Sequence, residues 1–344
     1  MSKITPLIRP NIAALAPYST ARDEYDGPIG IFLDANESPY ENGYNRYPDP
    51  HQAALKARIA PIKGIPAANL FLGNGSDEAI DLVFRIFCEP GRDNAVIMAP
   101  SYGMYGVAAA INDVAVRSVR LRPDFSLDSE ALLAACDART KVIFLCSPNN
   151  PSGNAFPKKQ LLDVCDRFPG VVVVDEAYAD FSAKGSLAQE AVRRENLIVL
   201  QTLSKARAMA GLRIGMALSS TEIIRLMSMV KYPYNLSRAA MEKAMSFLEK
   251  PIDEEVCTIV NERDRLDSLL PRYPFVRKVF PSDANFILVR VDDADALYGY
   301  LLDKGIIVRN RTRVPGCEGC LRLTVGLPTE NDALLNALDN YPAL

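Results

Sequence analysis

Residues 69–91 read NLFLGNGSDEAIDLVFRIFCEPG, and their pattern decides the fold class. A short apolar run ends in a glycine-rich turn, after which Ile80, Val83, Phe84 and Phe87 recur at helical spacing. A strand, a turn and a helix in so few residues is the unit of an α/β sheet. The design recurs downstream. NAVIMAP (94–100), the helix candidate SYGMYGVAAAI (101–111), the strand DVAVRSVRL (113–121) and KVIFLCSPNNPSG (141–153) follow at short spacing. In GVVVVDEAYADF (170–181) four consecutive valines predict a strand buried on both faces. Leu197 to Leu200 predict another, running into TLSKARAMAGLR (202–213).

Beyond LRIGMALS the pattern changes. TEIIRLMSMV begins helical matter, and residues 237–270 read as a long helix interrupted near Pro251. VRKVF, NFILVRV, the helix candidate LYGYLLDKG, IIVRN and CLRLTVGL then predict a smaller α+β unit closed by a last helix. KYPYNLS (231–237) is the expected hinge. The organisation expected is an arm and small-domain segment over 1–44, a large domain over 45–235 and a small domain over 236–344. Within the first part, RPNIAALAPYSTARDEYDG has no periodic run and reads as an arm lying on other structure, while IFLDANESPY (31–40) opens as a strand.

The chain has 344 residues, 49% hydrophobic and 24% charged, which excludes a disordered chain. A formal net charge of -3 gives no electrostatic reason to expect nucleic acid. MSKITPLIRPN lacks the apolar core of a signal peptide, and no stretch is long enough to span a bilayer, so no membrane partner and a cytoplasmic location are expected. Seven scattered cysteines predict reduced thiols. Cys317 and Cys320 form a C-x-x-C without two further ligands, so no metal is expected. The single histidine, His51, excludes a serine triad; Asp49 and Pro50 before it read as cap and first turn of a helix that exposes it.

Chemistry-bearing residues cluster at strand ends, where open α/β sheets bind ligands. Gly73, Gly75 and Ser76 open a helix, whose free amides and dipole suit a phosphate; Asp77 and Glu78 are expected to turn away. Lys205 follows a buried strand, where desolvation makes a lysine nucleophilic; the alternative is a solvated basic loop. Thr202, Ser204 and Arg213 around it suit an anion. Asp175 emerges from the valine strand and needs a partner, such as a protonated heteroaromatic nitrogen, or else caps a helix. Tyr102 reads as a core residue or a stacking ring, Asn36 as a turn former or a loop ligand, and Tyr47 as packing or an exposed hydroxyl. Asn150 is presented at the same edge.

GNGSDE, Tyr102, SPNNPSG, DEAY, SK with Arg213, and LRLTVG with Arg322 occur in one order. In that order the chain resembles the fold-type I aminotransferases that use pyridoxal 5′-phosphate, and within them the histidinol-phosphate aminotransferase family. The resemblance runs from RPNIAALAPYSTARDE to CLRLTVG. It implies a large domain with a mostly parallel seven-stranded sheet plus a smaller α+β C-terminal domain. It implies that Lys205 carries the cofactor, Asp175 faces the pyridine nitrogen, Asn150 and Tyr178 bond the phenolic oxygen, and Tyr102 stacks on the ring. Gly75, Ser76, Asp77, Thr202, Ser204 and Arg213 match the phosphate cup, joined by Tyr47 from the neighbouring subunit of a homodimer. Tyr18, Asn36, Arg309 and Arg322 match substrate contacts. The implied substrates are histidinol phosphate with 2-oxoglutarate, giving imidazole-acetol phosphate and glutamate. The alternatives within the fold are an aromatic amino acid aminotransferase or a threonine-phosphate decarboxylase. A nicotinamide dehydrogenase lacks its fingerprint glycines, and the arm leaves no room for the DNA-binding module of a regulator. Two features depart from the family pattern or have no role in it: Arg207, expected to face solvent, and the C-x-x-C before Leu321.

Overall fold

Uninterrupted β-branched runs find their place inside the larger of two sheets. The computed structural model describes residues 3–20 and 30–342. The large sheet comprises β1 (Leu70–Asn74), β2 (Asn94–Ala99), β3 (Ala115–Arg120), β4 (Thr140–Cys146), β5 (Val171–Asp175), β6 (Leu197–Thr202) and β7 (Ile214–Leu218). Its spatial order is β1-β7-β6-β5-β4-β2-β3. The pairs from β6 across to β3 are parallel, and β7 runs antiparallel to both β1 and β6. Val171 to Val174 are fully buried, as expected for a central strand covered on both faces. β3, at the edge, is largely exposed and carries Arg117 and Arg120, charges that discourage edge pairing.

Helices α1 (Pro10–Ala13) and α2 (Ala53–Lys63) precede β1. Between successive strands lie α3 (Ser76–Phe87), α4 (Met104–Ile111), α5 (Ser129–Ala134), α6 (Lys158–Arg167) and α7 (Ala188–Arg193). α8 (Thr221–Val230), α9 (Arg238–Phe247) and α10 (Asp253–Leu269) lead to the second unit. There β8 (Val276–Phe280), β9 (Phe286–Val291), α11 (Ala294–Asp303), β10 (Arg309–Asn310), β11 (Cys320–Thr324) and α12 (Pro328–Asp339) build an antiparallel sheet of order β10-β11-β9-β8.

The faces of this small sheet serve different cores. Ile287, Val289, Leu321 and Leu323 pack with α11 and α12, whereas Leu288, Cys320 and the preceding Cys317 join the core of the large sheet. Tyr178, Phe181, Ala206, Ala284 and Phe286 form a third cluster between the units. Two boundaries differ from expectation. Ala244 and Leu248, at the end of α9, are buried in the large core, so the small unit's own packing begins with α10 and not at residue 236. Ile4 and Ile12 also enter the large core, so the start of the arm is no small-domain segment. Its residues 21–29 lie outside the described residues.

Residues 31–33 form no strand with any of the described residues; Ile31 is 91% and Leu33 89% exposed, and the Phe32 carbonyl accepts instead from the Arg46 side chain at 3.3 Å. Asp49 does act as a cap, accepting from the amides of His51 (2.8 Å) and Ala53 (2.7 Å). Gln52 is left-handed at φ 52°, so the helix starts at Ala53 and the exposed His51 sits in the turn ahead of it.

The antiparallel direction of β7 puts its start at the same edge as the ends of β1, β5 and β6. Gly215 permits the close approach, since a Cβ there would sit 2.0 Å from the Ser76 nitrogen.

Candidate active site

At that edge one pocket is lined by Gly75, Ser76, Asp77, Tyr102, Asn150, Asp175, Tyr178, Thr202, Ser204, Lys205 and Arg213. One wall is the first turn of α3. Its N-cap, Gly75, has φ +74° and no side chain to satisfy the helix amides. Arg213, itself left-handed at φ 56°, brings Nη2 so close that a Cβ on Gly75 would lie 2.8 Å from it. The Thr202 hydroxyl donates to Ser204 Oγ at 2.9 Å across the same wall. Free amides, hydroxyls and a guanidinium around a cleft that a methyl group would block suit a phosphate group.

The two acids of GNGSDE behave differently. Glu78 turns away as expected, accepting from the Asn74 amide (2.5 Å) and from Asn235 (3.0 Å). Asp77 does not. It remains in the pocket wall, accepting from the Tyr102 hydroxyl (3.1 Å) with Arg213 3.8 Å away, because those two groups offset a carboxylate at a phosphate-binding turn.

Asp175 closes the floor at 3% exposure. Its Oδ1 accepts from the Ala177 amide (3.0 Å) and its Oδ2 from the Tyr105 hydroxyl (2.7 Å). No Lys or Arg forms an ion pair with it among the described residues. Burial pushes its pKa up, and the Tyr105 and Ala177 hydrogen bonds oppose the shift. A buried carboxylate held in place without a cation fits a protonated heteroaromatic nitrogen. Lys205 reaches solvent through the pocket mouth, and its Nζ lies 5.6 Å from the Tyr178 ring centroid. Partial burial lowers its pKa, followed by Arg322 and Arg213, while Asp175 and Asp77 act against them. The pocket therefore joins a phosphate cradle, a cation-seeking acid and a lysine shifted toward its neutral amine.

From the small unit, Arg322 of β11 reaches across to Asn150, its Nη1 donating to Oδ1 at 2.5 Å, over the Phe286 ring. Asn150 Nδ2 has no partner among the described residues. Arg309 pairs with Arg322 in register across β10 and β11 and is exposed. Three expected residues lie elsewhere. Tyr18 borders a separate cleft with His51 and Lys56. Asn36, left-handed at φ 54°, shares a groove with Tyr47 and Arg238. Tyr47 stacks on Tyr234 with centroids 4.4 Å apart, outside the Lys205 pocket. Arg207 donates to the Lys250 carbonyl at 3.3 Å in an exposed setting, consistent with the solvent-facing expectation.

Sequence reading missed Tyr105 and Asn149. Tyr105 is fully buried under Asp175, and as one tyrosine in the short apolar helix α4 it carried no sequence signal of that contact. Asn149, with no exposed surface, donates to the Pro100 carbonyl and to Ser152, tying the loops after β2 and β4 together.

The model of the aminotransferase class I and II family matches residues 32–338. The histidinol-phosphate aminotransferase of Parabacteroides distasonis is 54% identical over 342 residues, covering 99% of both chains. The crystal structure of histidinol-phosphate aminotransferase from Clostridium acetobutylicum superposes with a TM-score of 0.78 at 25% identity, over 85% of this chain and 89% of that one. The Sinorhizobium meliloti enzyme in complex with pyridoxal-5′-phosphate also gives 0.78 at 25% identity, over 85% and 82%.

Proposed function

The chain belongs to the class I and II aminotransferases, and from that premise we propose how its residues divide the work of the histidinol-phosphate aminotransferase reaction. It is a transaminase that uses pyridoxal 5′-phosphate and interconverts L-histidinol phosphate plus 2-oxoglutarate with imidazole-acetol phosphate plus L-glutamate, a step of histidine biosynthesis. When bound, the cofactor supplies a carbonyl carbon for amine exchange and an electron-withdrawing ring that takes up the electron pair left by the substrate Cα–H bond.

The residues around the pocket suit that chemistry. The free amides of Ser76 and Asp77, the hydroxyls of Thr202 and Ser204, and Arg213 hold the phosphate, with Gly75 leaving room for it while its own amide donates to the Arg213 carbonyl at 2.7 Å. Asp175 keeps a proton on the ring nitrogen, and Tyr105 fixes the orientation of its carboxylate. Asn150 and Tyr178 orient the phenolic oxygen, and Tyr102 covers the ring. Lys205 would anchor the cofactor, and its Nζ, its pKa lowered chiefly by partial burial, would take the proton from the substrate Cα. The observation that carries the substrate reading is Arg322, a half-buried guanidinium with no acidic partner among the described residues, poised beside Asn150 with Arg309 next to it. Such a group suits the anionic tail of a substrate whose amine reaches Lys205.

An amino-donor panel with 2-oxoglutarate tests the reading. Glutamate should form with histidinol phosphate, preferred over histidinol and phenylalanine; carbon dioxide release from threonine phosphate would indicate the decarboxylase instead. Arg322→Lys keeps the charge but loses the planar fork, so binding of the phosphate substrate should weaken by roughly 1.5–3 kcal/mol, about one charge-assisted hydrogen bond. Glutamate should weaken as well. Undiminished turnover of histidinol phosphate in that variant would remove Arg322 from the substrate site.

The enzyme acts as a homodimer in the cytoplasm, with Tyr47 serving the partner's cofactor phosphate. Support for the dimer comes from Ile31, Leu33, Tyr40, Tyr44 and Tyr47, large apolar or aromatic side chains within one short stretch that are all exposed in the single chain. Support for the cytoplasm comes from seven cysteines that form no disulfide. Among the described residues no helix is long and apolar enough to cross a membrane. Mixing inactive Lys205→Ala with weakened Tyr47→Phe protomers should create hybrids with one site carrying both lesions and one carrying neither. Activity should therefore rise above that of the Tyr47→Phe parent; no rise means each Tyr47 serves its own subunit.

A further inference from the structure

The register of the small sheet places a third arginine beside the two already discussed. Arg309 pairs with Arg322, and Arg311 lies opposite Cys320, its amide donating to the Cys320 carbonyl at 2.9 Å. Side chains two residues apart along a strand share a face. Arg309 and Arg311 therefore project with Arg322 and Cys320, on the face that joins the large-sheet core, while Asn310 projects oppositely, to Asp295 on α11. No carboxylate forms an ion pair with any of the three arginines among the described residues. The Nε atoms of both Arg311 and Arg322 are buried without a hydrogen-bond partner, so each guanidinium keeps a desolvated N–H that the chain does not satisfy, even though Arg322 Nη1 donates to Asn150. Such an arrangement is costly unless an anion completes it.

We propose that Arg311 is a specificity-determining residue of the substrate anion subsite, adding the positive charge that favours a phosphomonoester dianion over a carboxylate. The charge balance gives the reason. A phosphomonoester carries close to two negative charges near pH 7, whereas either carboxylate of glutamate brings only one to a given subsite. With Arg322 already donating to Asn150, a third guanidinium is excess for a monoanion and useful for a dianion. The mutual influence of the groups agrees with their proximity: Arg311 is one cause, after burial, of the lowered pKa of Arg322, and both act on Tyr178 at the pocket wall. The proposal rests on the histidinol phosphate reading for the identity of the dianion and on the sheet register for its location.

The test uses cofactor-loaded enzyme, so that the cofactor's own phosphate site is filled. In Arg311→Gln the KM for histidinol phosphate should rise by about tenfold or more, the scale of one lost charge-assisted hydrogen bond, with a clearly smaller rise for glutamate. Arg311→Lys should recover much of the difference. Inorganic phosphate should raise the melting temperature of wild type more than that of Arg311→Gln, and without phosphate the variant should melt no lower than wild type, because like-charge repulsion is relieved. Equal KM changes for the two substrates overturn the proposal, as does a lowered melting temperature with the phosphate shift intact, which marks a structural arginine. If wild type fails to turn over histidinol phosphate while the variant still loses the phosphate shift, the substrate reading falls and the anion subsite stands.

Discussion

Lys205→Ala should leave a folded protein without measurable transamination. Loss of a positioned proton-transfer group alone lowers a rate by roughly 10²–10⁴-fold, and the same substitution removes the amine that anchors the cofactor. Lys205 suits both tasks because it follows the end of buried β6 and partial burial favours its neutral form. Folding should be little affected, since the β6–β7 loop is held by backbone bonds such as Leu203 to Ile214 (3.0 Å) and Met209 to Leu203 (3.0 Å), which do not involve the lysine side chain. The check is borohydride reduction of the yellow holoenzyme followed by peptide mapping. The label should fall on Lys205 in wild type and vanish with turnover in the variant, and a label on any other lysine sinks the assignment.

The reasons Lys205 and Asp175 could be placed from sequence, and Tyr105 and Arg311 could not, are physical. Long apolar runs end at both Asp175 and Thr202, so a polar residue just beyond them has to emerge at a sheet edge. The direction of β7 was not visible in LRIGMALS, yet it is what brings Arg213 back to the first turn of α3. Tyr105 sits in a short apolar helix where a tyrosine reads as core, and only the contact 70 residues away reveals its hydroxyl's partner. Arg311 lies in a polar loop whose strand character exists only through pairing with β11. The reading of IFLDANESPY (31–40) as opening in a strand erred because a short apolar run says nothing about whether a partner strand is available. Tyr18, Asn36 and Tyr47 lie outside the Lys205 pocket of a single chain, and only under the proposed dimer would they reach one, which local pattern does not encode.

Asp175→Asn should separate cofactor binding from catalysis. The cradle of Gly75, Ser76, Thr202, Ser204 and Arg213 is untouched by the change, so the cofactor should still bind. An asparagine can accept from Tyr105 or Ala177 as the carboxylate does, but it no longer presents a charge that keeps a proton on the ring nitrogen. Breaking a buried ion pair by neutralising one partner costs about 3–5 kcal/mol, which as a barrier corresponds to roughly 10²–10⁴ in rate. Without cofactor the sign reverses. Burial raises the carboxyl pKa above its ordinary 3.8, so between that value and the raised one the folded state binds more protons than the unfolded state. Wild-type apoenzyme should then lose stability as pH rises through this window, a loss absent from the variant. Melting temperatures of both apoenzymes against pH should therefore diverge above about pH 4, the variant being the more stable, while a visible-absorbance titration of the holoenzymes should show a changed cofactor pKa. Unchanged turnover, or complete loss of cofactor despite the intact cradle, would remove Asp175 from the ring nitrogen.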